Sequence, residues 1–120
     1  GFDFVYIHVE APDEMGHQGS VEKKVQAVEY LDKRVIGPLT QSLDTEGIPY
    51  RLLVMPDHPT PIRVRTHTAD SVPFLLYDST KLYDSGDEKQ GSLKYNEKDA
   101  RAAGNFIPLG HTIIDRLFEK

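Results

Sequence analysis

The stretch that most restricts the fold is Leu52-Leu53-Val54-Met55-Pro56-Asp57-His58-Pro59-Thr60-Pro61. An unbroken apolar run of this kind suits a strand buried on both faces. The prolines that follow cannot donate to a sheet ladder, so the strand ends where they begin. Adjacent side chains on a regular strand point to opposite faces. Asp57 and His58 can therefore converge on one point only because the chain has left the strand. Arg65-Thr66-His67-Thr68 follows closely and adds another imidazole. Carboxylate and imidazole beyond the carboxyl end of a buried strand stand where an α/β sheet places its ligands. A metal site is the first reading of this stretch.

A chain of 120 residues has room for a single domain with one modest core. The formal charge is −5, from 14 basic and 19 acidic side chains, which leaves no electrostatic footprint for nucleic acid or an anionic membrane. Cysteine is absent, which excludes disulfides, thiolate metal sites and a cysteine nucleophile. No apolar run approaches the roughly 20 residues of a membrane span, and no charged leader precedes an apolar core. The expectation is a soluble, unexported, cytoplasmic chain.

Periodicity predicts a mostly parallel α/β sheet flanked by helices. Phe2 to Val9 is aromatic and β-branched and reads as a doubly buried strand, with His8 a core histidine inside it. A polar loop, EAPDEMGHQG, spans residues 10–19. A helix capped by Ser20 is expected next, with Val21, Val25, Val28, Leu31, Val35 and Leu39 as its core-facing stripe. Gly37-Pro38 should kink or restart it, and Gly47 lies beyond its end. Tyr50 to Met55 is the second strand, which completes a right-handed parallel βαβ unit. Val72 to Tyr77 forms a third strand, near an edge because of Pro73. An exposed loop over 78–94, a short helix from an Asn96 cap to Gly104, and a terminal helix opened by Pro108 complete the chain. The apolar side of that last helix holds Leu109, Ile113, Ile114, Leu117 and Phe118.

The loop after the first strand carries Asp13-x-x-x-His17. Parallel strands put their carboxyl ends together, so this pair should share a sheet edge with Asp57-His58. The metal-ligand candidates are thus Asp13, His17, Asp57, His58 and His67. Zinc accepts such oxygen and nitrogen donors at about 2.0–2.2 Å, and manganese suits the same mixed set. Five donors exceed one tetrahedral shell, which points to two ions about 3.5–4 Å apart. Each fragment alone is a weak signal, since surface loops often hold such pairs. Their placement at one sheet edge is what favours the joint reading. His111 reads as a cap or solvent-facing residue of the terminal helix, and Arg63 and Arg65 as an exposed edge.

These residues also carry a family resemblance. The run VEAPDEMGHQGSVEKKVQAVEYLD resembles the segment after a central strand in cofactor-independent phosphoglycerate mutases. MPDHPTPIRVRTHTADSVPFLLYD resembles their second metal segment, and Pro59-Thr60-Pro61 favours the archaeal-type branch. Residues 2–78 carry the similarity most strongly; the tail, with Tyr95-Asn96-Glu97 and Gly110, resembles the C-terminal end of such enzymes more loosely.

The resemblance implies the C-terminal part of an alkaline-phosphatase-like three-layer sandwich, and a phosphomutase that binds two divalent ions, manganese or zinc, with no organic cofactor. One ion is expected on the positions matching Asp13, His17 and His67. The other is expected on those matching Asp57 and His58, completed by an aspartate and a nucleophilic serine. The implied reaction interconverts 3-phosphoglycerate and 2-phosphoglycerate through a phosphoserine. No serine here matches the nucleophile motif, and the substrate domain has no counterpart. The chain is therefore expected to be a C-terminal metal-binding fragment, inactive alone, with neither nucleic acid nor membrane as partner. Self-association through an exposed sheet edge is expected. Another phosphomutase or hydrolase of the alkaline phosphatase superfamily, or a stand-alone metal-binding module, is the alternative.

Overall fold

A computed structural model describes residues 1–81 and 93–119. The chain divides into two compact units: Gly1–Thr45 with His58–Asp70, and Glu46–Asp57 with Ser71–Lys120.

In the first unit, helix α1 spans Ala11–His17, where the sequence had suggested a polar loop. Its start is built for a helix. Pro12 needs no backbone partner in the first turn, Asp13 and Glu14 meet the positive end of the dipole, and His17 sits at the negative end. Gly19, at φ 70, turns the chain. Ser20 then caps α2, Val21–Leu31, by accepting from the Lys23 N–H, as its position after a glycine predicts.

The expected break at Gly37-Pro38 takes the form of a widened turn. A π-helical segment, Asp32–Ile36, joins α2 to α3, Gly37–Thr45. Pro38 has no N–H to return to Arg34, and its ring would press on that carbonyl. The Gly37 N–H reaches back to Asp32 instead, so the turn gains a residue and the helix continues.

Further expectations fail in this unit. Residues 2–9 form no strand and are exposed: a doubly buried strand needs neighbouring strands, and the described strands at 51–54 and 75–78 pair with each other instead. His8 is accordingly not a core residue; its ring stacks on Tyr6 with centroids 6.2 Å apart. The valine stripe is not core either. Helix α2 packs on α1, but Val21, Val25, Val28 and Leu39 stay exposed, while Leu31 and Val35 are half-buried.

In the second unit, β1, Arg51–Val54, pairs with β2, Leu75–Asp78. The pairing is antiparallel, Arg51 opposite Asp78 and Val54 opposite Leu75, not the parallel arrangement expected. A parallel return needs a crossover, usually a helix. Residues 55–74 hold only turns and extended chain, so the strand comes back beside its partner in the opposite sense. Arg51 ties this pair together: its Nε donates to Asp78 over 2.8 Å, and its Nη1 donates to the carbonyls of Leu117 and Glu119.

Helix α4, Glu97–Ala103, begins at Asn96, whose side chain accepts from the Asp99 N–H, and stops at Gly104 with φ 74. A 3₁₀ turn, Gly110–Thr112, leads into α5, Ile113–Phe118, which lies against β1 and whose Ile113 is buried. Leu109 and Phe118, expected on the buried side, are each 58% exposed. Of the loop expected over 78–94, residues 82–92 lie outside the described residues.

Candidate metal centre

Helix α1 sets the site. An i, i+4 spacing stacks Asp13 and His17 on one helical face. Their side chains meet there, with Asp13 Oδ2 3.3 Å from His17 Nε2. His67, from the loop that follows the proline-rich stretch, closes the group. Its Nε2 lies 3.1 Å from Asp13 Oδ1 and 3.2 Å from His17 Nε2. One donor atom from each residue falls within a sphere of mutual distances under 4.8 Å.

The orientation of the rings bears on what the group can hold. A carbonyl oxygen only accepts, so the 3.0 Å contact between His17 Nδ1 and the Arg65 carbonyl places the proton on Nδ1. In the neutral ring, Nε2 is then the bare nitrogen and faces Asp13 and His67. An outward N–H on a carbonyl with the other nitrogen turned inward is the arrangement of a metal-ligating histidine. The donor spacing fits as well: bonds of about 2.1 Å in a tetrahedral shell leave ligand atoms about 3.4 Å apart.

Asp13 is held ionised. The Thr60 hydroxyl donates to its Oδ1 and is the main cause that keeps the carboxyl below its ordinary range. Burial works against this, and the imidazoles of His17, His67 and His58 reinforce it.

His58 stands at the margin of the same group. Its ring stacks on His67 at 3.6 Å between centroids and 29° between planes. Its Nδ1 lies 3.4 Å from Thr60 Oγ1. Asp57 is exposed and belongs to the other compact unit. His111 lies in the 3₁₀ turn of that unit.

Sequence reasoning missed the supports. Thr60 is buried, and its carbonyl accepts from Lys24 Nζ over 2.6 Å. Gly16 lies so close beneath it that a Cβ there would fall 2.6 Å from the Thr60 oxygen. Arg65 holds its carbonyl toward His17 from a left-handed backbone, φ 58. A threonine between two prolines directly after the Asp-His pair was the available signal for Thr60; nothing local marks Arg65.

A carboxylate and two imidazoles converging with this spacing form a group that could hold a metal ion. The chain belongs to the Metalloenzyme superfamily, whose family model matches residues 1–118. It is 46% identical over 98 residues to the 2,3-bisphosphoglycerate-independent phosphoglycerate mutase of Methanosarcina mazei, across 76% of this chain and 25% of that protein. It is 42% identical over 118 residues to a protein of Geobacter sulfurreducens named as a probable enzyme of the same kind, across 98% of this chain and 28% of the relative. The mutase of Methanothrix thermoacetophila is 51% identical over 85 residues, 71% of this chain and 22% of its own length. The chain thus spans about a quarter of the length of the curated relatives it matches. No solved structure gives a significant match. Among the described residues, no helix is long and apolar enough to cross a membrane.

Proposed function

We propose that this chain is the C-terminal metal-binding part of a phosphoglycerate mutase. In this reading, Asp13, His17 and His67 hold one divalent cation, manganese or zinc, and Asp57 and His58 give donors to a second. The observation that carries the reading is the convergence of the Asp13 carboxylate with His17 Nε2 and His67 Nε2. The names of the relatives supply the substrate class, phosphoglycerate. When bound, the ions would offset charge on a transferring phosphoryl group and make a hydroxyl nucleophile more acidic.

The residues of this chain then have a defined share of the work. Asp13 brings negative charge to the first ion, with the Thr60 hydroxyl donating to its carboxylate; His17 brings a nitrogen fixed by the Arg65 carbonyl. The nucleophilic serine and the groups that grip glycerate belong to the remainder of such an enzyme, which acts in the cytoplasm. The 120-residue chain by itself is inactive and self-associates, because side chains such as Phe2, Tyr6 and Phe106 present large apolar surfaces to water.

Calorimetric titration with Mn²⁺ or Zn²⁺ tests the site. The chain should bind at the first set, and Asp13→Asn should abolish that binding. Equal binding by both proteins rejects the assignment. A coupled assay tests the fragment claim, since substantial conversion of 3-phosphoglycerate by the isolated chain contradicts it. Sedimentation as a clean monomer contradicts self-association.

A further inference from the structure

Thr60 is only 5% exposed, yet it carries a hydroxyl with two polar neighbours. The hydroxyl has one proton to give. Asp13 Oδ1 is a carboxylate oxygen and only accepts, so that proton is committed to it. His58 Nδ1, 3.4 Å away on the other side, must then be the donor to the Thr60 oxygen. The neutral His58 ring is left with its bare nitrogen at Nε2.

The rest of the residue is fixed in place. Its carbonyl accepts from Lys24 Nζ over 2.6 Å, and Gly16 presses close beneath the same oxygen. The flanking prolines restrict the backbone on either side. The hydroxyl therefore sits on a rigid support, and both of its hydrogen bonds have a set direction.

We propose that Thr60 is a positioning residue whose hydroxyl holds the Asp13 carboxylate and the His58 imidazole in one arrangement, joining the two candidate ion sites. The inference rests on the metal assignment made above and adds a role for a residue that is not itself a ligand. Anchoring Asp13 through Oδ1 stops the carboxylate from rotating away from His17 and His67. Donation from His58 Nδ1 selects the tautomer that can ligate through Nε2. Because one hydroxyl serves both, the two sites do not change independently: losing it weakens each.

Mn²⁺ titration of the 120-residue chain and its Thr60→Val, Thr60→Ser and Asp13→Asn variants, each checked by circular dichroism, tests the proposal. Thr60→Val keeps the shape and removes the hydroxyl; it should weaken binding by about 10–100-fold, the usual effect of losing a partner of a ligand, whereas Thr60→Ser should stay within about twofold. Thr60→Val binding like wild type overturns the proposal. So does Thr60→Ser binding as weakly as Thr60→Val, since that marks a packing role. Asp13→Asn keeps the two failures apart. Wild-type binding in that variant rejects the metal assignment itself, whereas loss there beside an unaffected Thr60→Val rejects only the role of Thr60. Should Thr60→Val not fold, ¹⁵N NMR of neutral His58 in wild type and Thr60→Ser decides: the Nδ1–H tautomer is expected, and the Nε2–H tautomer overturns the proposal.

Discussion

His17 Nδ1 donates across 3.0 Å to the backbone carbonyl of Arg65, a residue held at φ 58. A side chain at the end of α1 is thus oriented by a loop residue far along the chain, and the loop takes an unfavoured backbone to do it. A left-handed conformation costs a non-glycine residue about 1–2 kcal/mol, and strain of this sort tends to collect at functional sites. Glycine relieves it but loses about 0.5–1 kcal/mol through its freer unfolded chain. Arg65→Gly should therefore leave stability within about 1 kcal/mol of wild type and keep metal binding. Arg65→Val, β-branched and poorly suited to positive φ, should lower both. Urea midpoints and a Mn²⁺ titration check this. Undiminished binding in Arg65→Val would show that the carbonyl does not matter to His17.

Asp78 gives the second unit an acid-sensitive joint. The Thr80 hydroxyl donates to Oδ1 over 2.6 Å, the Thr80 N–H over 3.0 Å, and Arg51 Nε to Oδ2 over 2.8 Å. In that order of importance these partners hold the carboxyl down, from 3.8 to about 2. A depressed carboxyl stabilises the fold fully above its unfolded pKa, and the contribution fades as pH falls from 3.8 through about 2. The Asp78 carboxyl resonance should titrate near 2. Asp78→Asn should be less stable than wild type at neutral pH, with the gap closing in acid. A gap that stays constant down the acid limb contradicts the linkage.

How much of this was legible beforehand depended on how local the cause was. Ser20, Asn96 and Gly104 mark helix ends through contacts within a few residues, and the structure has those ends where the sequence put them. The same reasoning saw Asp13 and His17 as a pair but placed them in a loop. Pro12, the acidic first turn and Gly19 were the helix signals it passed over. Thr60 and Asp13 meet across 47 positions, which no periodicity reports. The direction of the β1–β2 pairing depended on what residues 55–74 failed to form, namely a crossover helix. Apolar spacing marked the face of α2 correctly as a stripe. It had no means to say whether the described chain covers that face.

Tyr95 makes the complementary alkaline case. Its hydroxyl donates to the carbonyl of Pro73 over 3.2 Å and lies 3.4 Å from that of Val54. Burial first, and the Glu97 charge second, push its pKa up to about 12. A raised pKa means that the folded chain favours the neutral phenol, so its contribution holds below 10 and is lost as pH rises through about 12. Ultraviolet titration should show this phenol ionising near 12, above the ordinary tyrosine value of 10.0. Tyr95→Phe should cost about 1 kcal/mol, the worth of one neutral hydrogen bond at a half-exposed site. Titration of this phenol at 10.0 would contradict the burial argument.

Gly16 sets two opposing effects against each other in one substitution. Alanine is the better helix former by about 0.8–1 kcal/mol, so Gly16→Ala within α1 should stabilise on propensity alone. The added methyl, however, would fall 2.6 Å from the Thr60 carbonyl oxygen and 2.9 Å from its Cγ2, with Lys24 Nζ at 3.0 Å. Lys24 can swing aside, but the oxygen belongs to backbone flanked by prolines and must move as a piece. Forcing a methyl into such a contact typically costs about 1–3 kcal/mol, more than the propensity gain at most values in that range. Gly16→Ala should therefore be destabilising by roughly 1 kcal/mol net. Displacing Thr60 also shifts the hydroxyl that holds Asp13, so Mn²⁺ binding should weaken in the same variant. A helix-surface control, Gln26→Ala on α2, should lose neither. Greater stability with unchanged Mn²⁺ binding in Gly16→Ala would mean that the close approach of α1 to the loop is not a constraint on the site.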